Sequence, residues 1–128
     1  MQCVIGKPLK KNQTMPRQLS DIISEEEYFR HMCVAFPDLC GKIESESGNH
    51  SKMEKFADYT IENIKANNIT EITKCFDFQE ERISICPAIL DAIVVSYCES
   101  LFLGDVASVI HNFTSYMKPI LFKIYNDY

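Results

Sequence analysis

The sequence holds little of the material from which nucleotide, metal and catalytic sites are usually built. It has four glycines and no tryptophan among 128 residues, and it contains neither of the glycine-rich phosphate-binding patterns, so nucleotide binding is not expected. None of its three histidines stands in a recognised nucleophile motif. His31 and Cys33, two residues apart, have a poor helical geometry for sharing a metal ion. We therefore predict a protein that is not an enzyme and needs no cofactor or metal.

The sequence also lacks an uninterrupted apolar stretch of the roughly 18 residues that a membrane-spanning helix needs. The longest candidate, residues 83–103, is broken by Pro87, Asp91 and Glu99. The N-terminal stretch lacks the apolar core of a secretory signal. These absences predict a protein without a membrane segment that stays in the cytoplasm.

Cysteine is present, but without the spacing of a disulfide framework or a zinc ribbon. No C-x-x-C pair occurs, and the six cysteines are scattered along helical patterns. Free cysteine is among the most buried residue types. We therefore predict reduced and mostly buried thiols at Cys3, Cys33, Cys40, Cys75, Cys86 and Cys98.

Charge is distributed unevenly along the chain. Residues 1–19 carry four basic and no acidic side chains, whereas the other 109 residues carry nine basic and eighteen acidic ones, a formal charge of −9. Nucleic-acid binding needs clustered lysine and arginine to neutralise phosphates, so this acidic body argues against it. The same charge would attract a basic protein partner.

The chain divides into a leader and one domain. Residues 1–19 contain two prolines and a basic, polar stretch without periodicity, which predicts a flexible leader. Helical periodicity covers the remainder, and a chain of this length suffices for one core but not for two comfortable ones. We therefore predict an all-α domain over residues 20–128, with five to seven helices in stacked antiparallel hairpins or an irregular bundle.

Local signals place the ends of these helices. Ser24 with Glu27, and Ser51 with Glu54, have the spacing of capping boxes, and Asn68 is a third cap. The most apolar segment follows Pro87; its β-branched residues also permit a strand, but its length favours a helix. The predicted helices are residues 25–36, 52–66, 69–84, 87–103, 106–117 and a short closing helix at 120–125.

One acidic pattern stands above the background. Glu54, Asp58 and Glu62 recur every four residues on one predicted helix, and such like charges repel one another by a few tenths of a kcal/mol per pair. A solvated helix face moderated by Lys55 and Lys65 would explain them. The other interpretation is a binding surface for a basic protein, and these three acids, which we call the acidic ridge, are the predicted partner-binding residues.

Three stretches carry a resemblance to a family. They are Phe36-Pro37-Asp38-Leu39, Lys74-Cys75-Phe76 and the segment from Ala92 to Leu101. Together they resemble small helical bacterial proteins akin to the immunity proteins encoded beside polymorphic or contact-dependent toxins. The resemblance implies a cytoplasmic protein that binds and neutralises a cognate toxin domain, such as a basic nuclease.

The resemblance rests on positions that determine the fold, so no functional residue is carried over from it. Two other functions stay open. One is a helical adaptor or regulator without a toxin partner. The other is an enzyme whose site is assembled from distant residues, for which a pocket containing a histidine with a carboxylate or cysteine partner would be the sign.

Overall fold

Seven α-helices, a π-helix and several 3-10 helices, with the turns between them, make up the part of the chain that the structure describes. This computed structural model describes residues 21–128, so the predicted leader, the start of the domain at residue 20 and Cys3 lie outside it. Within residues 21–128 no β-strand forms, and the all-α prediction is confirmed. The helices are α1 (Glu25–Ala35), α2 (Cys40–Glu44), α3 (Asn49–Lys65), α4 (Ile69–Ile83), α5 (Leu90–Ala92), α6 (Glu99–Leu103) and α7 (Pro119–Asn126).

Two of the three predicted helix caps are confirmed. The Ser24 hydroxyl accepts a hydrogen bond from the Glu27 amide at 3.1 Å, and the Asn68 side chain accepts one from the Glu71 amide at 3.4 Å. The predicted cap at Ser51 is wrong. Helix α3 begins three residues earlier, at Asn49 after Gly48, whose extended backbone starts the helix without a side-chain cap.

The connection between α3 and α4 is short because the helix ends in a Schellman motif. Asn67 has a φ of 56°, a left-handed conformation that asparagine tolerates. Its amide donates to the Ile64 carbonyl and the Asn68 amide donates to the Asn63 carbonyl, which satisfies carbonyls that α3 would otherwise leave unpaired. The same Asn68 then caps α4, so the two helices follow each other with little intervening chain.

The chain makes the same proline corner twice. Phe36 and Cys86, the residues before the prolines, have nearly identical backbone angles, φ −131° and ψ 74° against φ −133° and ψ 73°. A residue before proline is pushed out of the helical region. At Phe36 this ends α1, whereas α4 has already ended at Ile83, three residues before Cys86. Each proline then opens a 3-10 turn, Pro37–Leu39 or Pro87–Ile89, that leads into the next helix.

The segment from Pro87 to Leu103 forms the centre of the molecule and is helical throughout, as predicted. After its 3-10 turn come α5, a π-helix at Ile93–Cys98 and α6. It packs mainly against α3. Within residues 21–128 no single helix has the length and hydropathy needed to cross a membrane. The helical stretches Ile69–Ile83 and Pro87–Leu103 reach that length and hydropathy only when they are taken together, and the chain bends by 119° between them.

The predicted α-helix at residues 106–117 is wrong. Turns follow Gly104, and Ile110–Tyr116 is a 3-10 helix. Val109 is exposed, but the other large aliphatic and phenylalanine side chains are buried as expected, at Val106, Ile110, Phe113 and Met117. Their spacings of three and four residues suit both types of helix. The stretch is rich in serine, threonine, asparagine and β-branched residues, which favour an α-helix weakly. Pro119 begins α7 and does not kink a longer helix.

Aromatic rings fill much of the core, and two hydrogen bonds join buried side chains within it. The Phe56 ring lies 5.1 Å from the Phe36 ring and 5.1 Å from the Tyr97 ring. The buried Tyr28 hydroxyl donates to Gln79 Oε1 at 2.6 Å. The buried Tyr97 hydroxyl pairs with Thr60 Oγ1 at 3.0 Å. Because each buried hydroxyl has a partner, both tyrosines are accommodated without the cost of an unpaired polar group.

Helix α7 is held at its first turn by a carboxylate from α4. Glu80 accepts hydrogen bonds from the Ile120 amide at 3.0 Å and the Leu121 amide at 2.9 Å, one on each oxygen. Lys118 also forms an ion pair with Asp77 at 3.5 Å. A negative charge at a helix N-terminus is favoured by the helix dipole, so Glu80 fixes both the position and the start of α7.

Candidate functional site

The acidic ridge lies on the outer face of α3. Glu54, Asp58 and Glu62 are all exposed, as the four-residue spacing predicted. The opposite face of the helix is buried against the core, and its residues are Met53, Phe56, Ala57, Thr60, Ile61 and Ile64. The ridge is therefore displayed outward by the same periodicity that builds the core.

The two lysines expected to moderate the ridge pair with other acids. Lys55 lies 3.8 Å from Glu46, and Lys65 lies 3.9 Å from Asp105. Among residues 21–128, no lysine, arginine or histidine forms an ion pair with any of the three ridge acids. Within residues 21–128 the ridge acids therefore have no direct ion pair, although Lys55 lies beside Asp58 and Glu62.

A groove of about 510 Å³ runs beside the ridge. Two ridge acids, Asp58 and Glu62, form part of its wall, and α2 with the loop after it supplies the other side. We call it the acidic groove, and its lining residues are Leu39, Lys42, Ser45, Glu46, Lys55, Asp58, Tyr59, Glu62 and Asn63. Glu54 is outside this lining, so the structure brings two of the three predicted site residues to one concave surface.

Tyr59 gives the acidic groove an aromatic wall. Its hydroxyl donates to Glu71 Oε2 at 2.5 Å, and Asn63 Nδ2 donates to the Tyr59 carbonyl at 2.8 Å. Burial, reinforced by the hydrogen bond to Glu71, raises the pKa of Tyr59 well above its ordinary value. The phenol therefore stays neutral at physiological pH, and its ring is held in place.

Sequence reasoning missed Tyr59 because nothing in its local pattern marks it. Its hydroxyl partner, Glu71, is twelve residues away on the next helix. The ring of the buried Phe36 lies 5.6 Å away. Only the packing of α3 on α4 and on the first proline corner brings these residues together, so the signal lies in the tertiary structure.

A histidine stands between a carboxylate and a hydroxyl at the start of α3. His50 Nε2 lies 3.3 Å from Asp91, and His50 Nδ1 lies 2.6 Å from the Ser96 hydroxyl. Hydrolases use such a series of groups to activate serine, but here Ser96 is only 5% exposed and sits within the π-helix. Neither His50 nor Ser96 lines the acidic groove. These contacts tie the first turn of α3 to the central segment.

The prediction that the cysteines are free thiols is wrong for one pair. Cys33 and Cys40 form a disulfide, with their Cα atoms 4.6 Å apart. Seven residues span about two turns of a continuous α-helix, which would keep the two Cα atoms too far apart for a disulfide. The first proline corner folds α2 back toward the end of α1 and brings them together. Cys75, Cys86 and Cys98 are free and buried, as predicted.

Burial of the free thiols has a consequence for stability at high pH. It raises the pKa of Cys75 and of Cys98 from 9.0 to about 12. The unfolded chain loses these protons above about pH 9, while the folded protein keeps them, so we expect the free energy of unfolding to fall as pH rises from 9 toward 12. The buried phenols of Tyr28 and Tyr97, whose pKa values burial also raises, act in the same direction.

This expectation is checked by urea unfolding of the reduced protein at about pH 8 and about pH 10. The midpoint should be lower at the higher pH. The Cys98→Ala variant should lose less stability between the two pH values than the parent. An equal loss in both proteins would contradict the role given to this thiol.

Comparison with known proteins identifies a family but no activity. The family model described as "Domain of unknown function (DUF7674)" matches residues 29–128. That match covers more than three quarters of the chain, including the ridge, the acidic groove and both proline corners. No curated protein and no solved structure matches the sequence. The chain therefore belongs to the DUF7674 family, whose function is not known.

Proposed function

We propose that this protein is a bacterial immunity protein, which binds a cognate toxin domain and blocks it through the acidic ridge and acidic groove. The observation that carries the proposal is the set of three exposed ridge carboxylates that form no ion pair with any cation among residues 21–128. Such a surface is complementary to a basic protein. A nuclease toxin is the favoured class of partner, because binding nucleic acid requires a basic surface.

Charge supports the proposal through the rate of association. The body of the protein carries a formal charge of −9 over residues 20–128, and the ridge concentrates part of it on one helix face. Opposite charges on two proteins raise the rate of encounter and help to select the partner. An immunity protein must reach a toxin before the toxin reaches its substrate, so a fast association is useful to it.

Charge alone does not give high affinity, and the acidic groove offers an aromatic contact as well. Buried aromatic anchors supply much of the binding energy at protein interfaces. Tyr59 lines the groove with its hydroxyl already bonded to Glu71, so little side-chain freedom is left to lose on binding. In this proposal a basic side chain of the partner would lie against Asp58 and Glu62 while Tyr59 contacts its aliphatic part.

Reversing the ridge charges should slow association with the partner. For the Glu54→Lys, Asp58→Lys, Glu62→Lys triple variant we expect the association rate constant to fall about tenfold or more at low salt, with a smaller loss at high salt. The measurement is surface plasmon resonance at two salt concentrations against the product of the adjacent toxin-like reading frame. Circular dichroism would verify that the variant remains helical.

A matched control separates the ridge from the overall charge. The Glu25→Lys, Glu26→Lys, Glu99→Lys variant makes the same change in net charge at three exposed positions on other helices. We expect it to reduce the rate less than the ridge variant does. Equal effects of the two variants would show that only net charge matters and would remove the ridge from the interface.

A growth assay tests the proposal as a whole. The protein and the product of the adjacent toxin-like reading frame would be expressed together and separately, and their complex isolated by a tag. Binding and rescue of growth are expected. Binding without any toxicity of the partner would favour a helical adaptor, and neither binding nor rescue would overturn the immunity function.

A further inference from the structure

We propose that Cys33, Cys40 and Glu44 form a transition-metal site, suited to Zn²⁺, when the disulfide between the two cysteines is reduced. The two sulfur atoms and a carboxylate oxygen of Glu44 all lie within 4.8 Å of one another. None of the three residues lines the acidic groove, although α2, which carries two of them, forms one side of it. The site stands on its own geometry and does not depend on the proposed function.

The backbone places the three ligands on converging elements. Cys40 and Glu44 are the first and last residues of α2, and residues four apart lie on the same face of a helix. Cys33 comes from the last turn of α1, which the first proline corner sets against α2. Two ligands thus come from one helix and one from its neighbour, and the fold keeps their backbones close together.

The ligand set has the chemistry that Zn²⁺ prefers. Zinc binds cysteine thiolates and carboxylates in tetrahedral geometry, and three protein ligands leave a fourth position for water. Cys33 and Glu44 also line a cavity of about 250 Å³, which leaves room for that water. Both cysteines are partly exposed and Glu44 is exposed, so an ion can reach them from solvent.

Charges of both signs line the cavity beside the site. Glu26 and Glu44 lie there together with Arg30 and Lys52, so the fixed charges of the cavity balance before the two sulfur ligands are counted. Two thiolates and one carboxylate would still leave the site negative, so it would attract a divalent cation.

The disulfide and the metal site are alternative states of the same two sulfur atoms. Two thiols of a reductant such as glutathione give up two electrons and two protons to the Cys33–Cys40 bond, which yields two protein thiols and one reductant disulfide. Binding of Zn²⁺ then releases the two thiol protons. In a reducing compartment, where disulfides are rare, the metal-binding state is the accessible one.

Cobalt titration tests the site directly. The full-length protein would be reduced, freed of reductant without oxygen and titrated with Co²⁺. We expect a thiolate-to-cobalt charge-transfer band, visible bands of tetrahedral Co²⁺, saturation at one ion per chain and loss of the bands when Zn²⁺ is added. The oxidised protein should show none of these bands. Absence of the charge-transfer band in the reduced protein would overturn the proposal.

Variants assign the ligands. Cys33→Ser should abolish the charge-transfer band at one equivalent of Co²⁺, and Glu44→Gln should weaken Co²⁺ binding by about tenfold or more. Cys3→Ser and Glu46→Gln, a thiol and a carboxylate outside the proposed ligand set, should leave binding unchanged. Because Glu44 is exposed, its variant should fold. Unchanged affinity in Glu44→Gln, or loss of binding in Cys3→Ser, would overturn this ligand set.

Discussion

Replacing Phe56 with alanine is expected to lower the free energy of unfolding by about 3–5 kcal/mol, the usual cost of truncating a buried phenylalanine. The side chain is fully buried. Its ring lies 5.1 Å from the Phe36 ring, 5.6 Å from the Phe78 ring and 5.1 Å from the Tyr97 ring. These rings come from the first proline corner, from α4 and from the π-helix, so no single neighbour can move to fill the cavity.

A partly exposed phenylalanine supplies the control for this variant. Phe122 on α7 is 40% exposed. Because complete burial of a phenylalanine side chain contributes about 1.5–3 kcal/mol, the replacement of Phe122 by alanine should cost roughly 1–2 kcal/mol, less than that of Phe56. Urea unfolding followed by circular dichroism measures both variants. Similar losses in Phe56→Ala and Phe122→Ala would mean that the aromatic cluster does not form the centre of the core.

Removing the carboxylate of Glu80 is expected to destabilise α7 against the rest of the domain. Glu80 accepts from the Ile120 and Leu121 amides at 3.0 and 2.9 Å, and hydrogen bonds to a charged group contribute about 1.5–3 kcal/mol. Because Glu80 is partly exposed, water can replace some of this contribution. We therefore expect Glu80→Ala to destabilise α7 by roughly 2 kcal/mol, with a smaller effect on the rest of the protein.

Hydrogen exchange can localise this effect. The Ile120 and Leu121 amides should exchange faster in Glu80→Ala, while amides of α3 should keep most of their protection. Glu81→Ala is the matched control, because the neighbouring Glu81 is exposed and, among residues 21–128, forms an ion pair only with Arg82, at 3.1 Å. Equal exchange at Ile120 and Leu121 in the two variants would contradict the role of Glu80.

Local sequence signals predicted most of the helices but not every start. The caps at Ser24 and Asn68 were predictable because each bond joins residues only three apart. Ser51 has the same spacing to Glu54, yet α3 begins at Asn49. The added first turn contains His50, whose partners Ser96 and Asp91 lie more than forty residues away. A cap assigned from local spacing does not take such contacts into account.

The candidate site was predictable in part. The spacing of Glu54, Asp58 and Glu62 was enough to predict one exposed row, because exposure on an amphipathic helix follows from its period. The pairing of Lys65 with Asp105 and the acidic groove beside the ridge were not predictable. Both depend on how separate elements pack. The Cys33–Cys40 disulfide was missed for the same reason, since the proline corner brings its cysteines together.

The repeated proline corner shows that a few residues are enough to change the direction of the chain between two helices. In both copies a buried residue precedes the proline, and a buried aliphatic residue, Leu39 or Ile89, follows two positions later. The proline sets the bend, and the two flanking side chains anchor it on either side. The intervening residues, Asp38 and Ala88, are exposed and chemically unlike. A buried residue, proline, any residue and an aliphatic residue thus form a short signature by which such corners could be sought in other DUF7674 sequences.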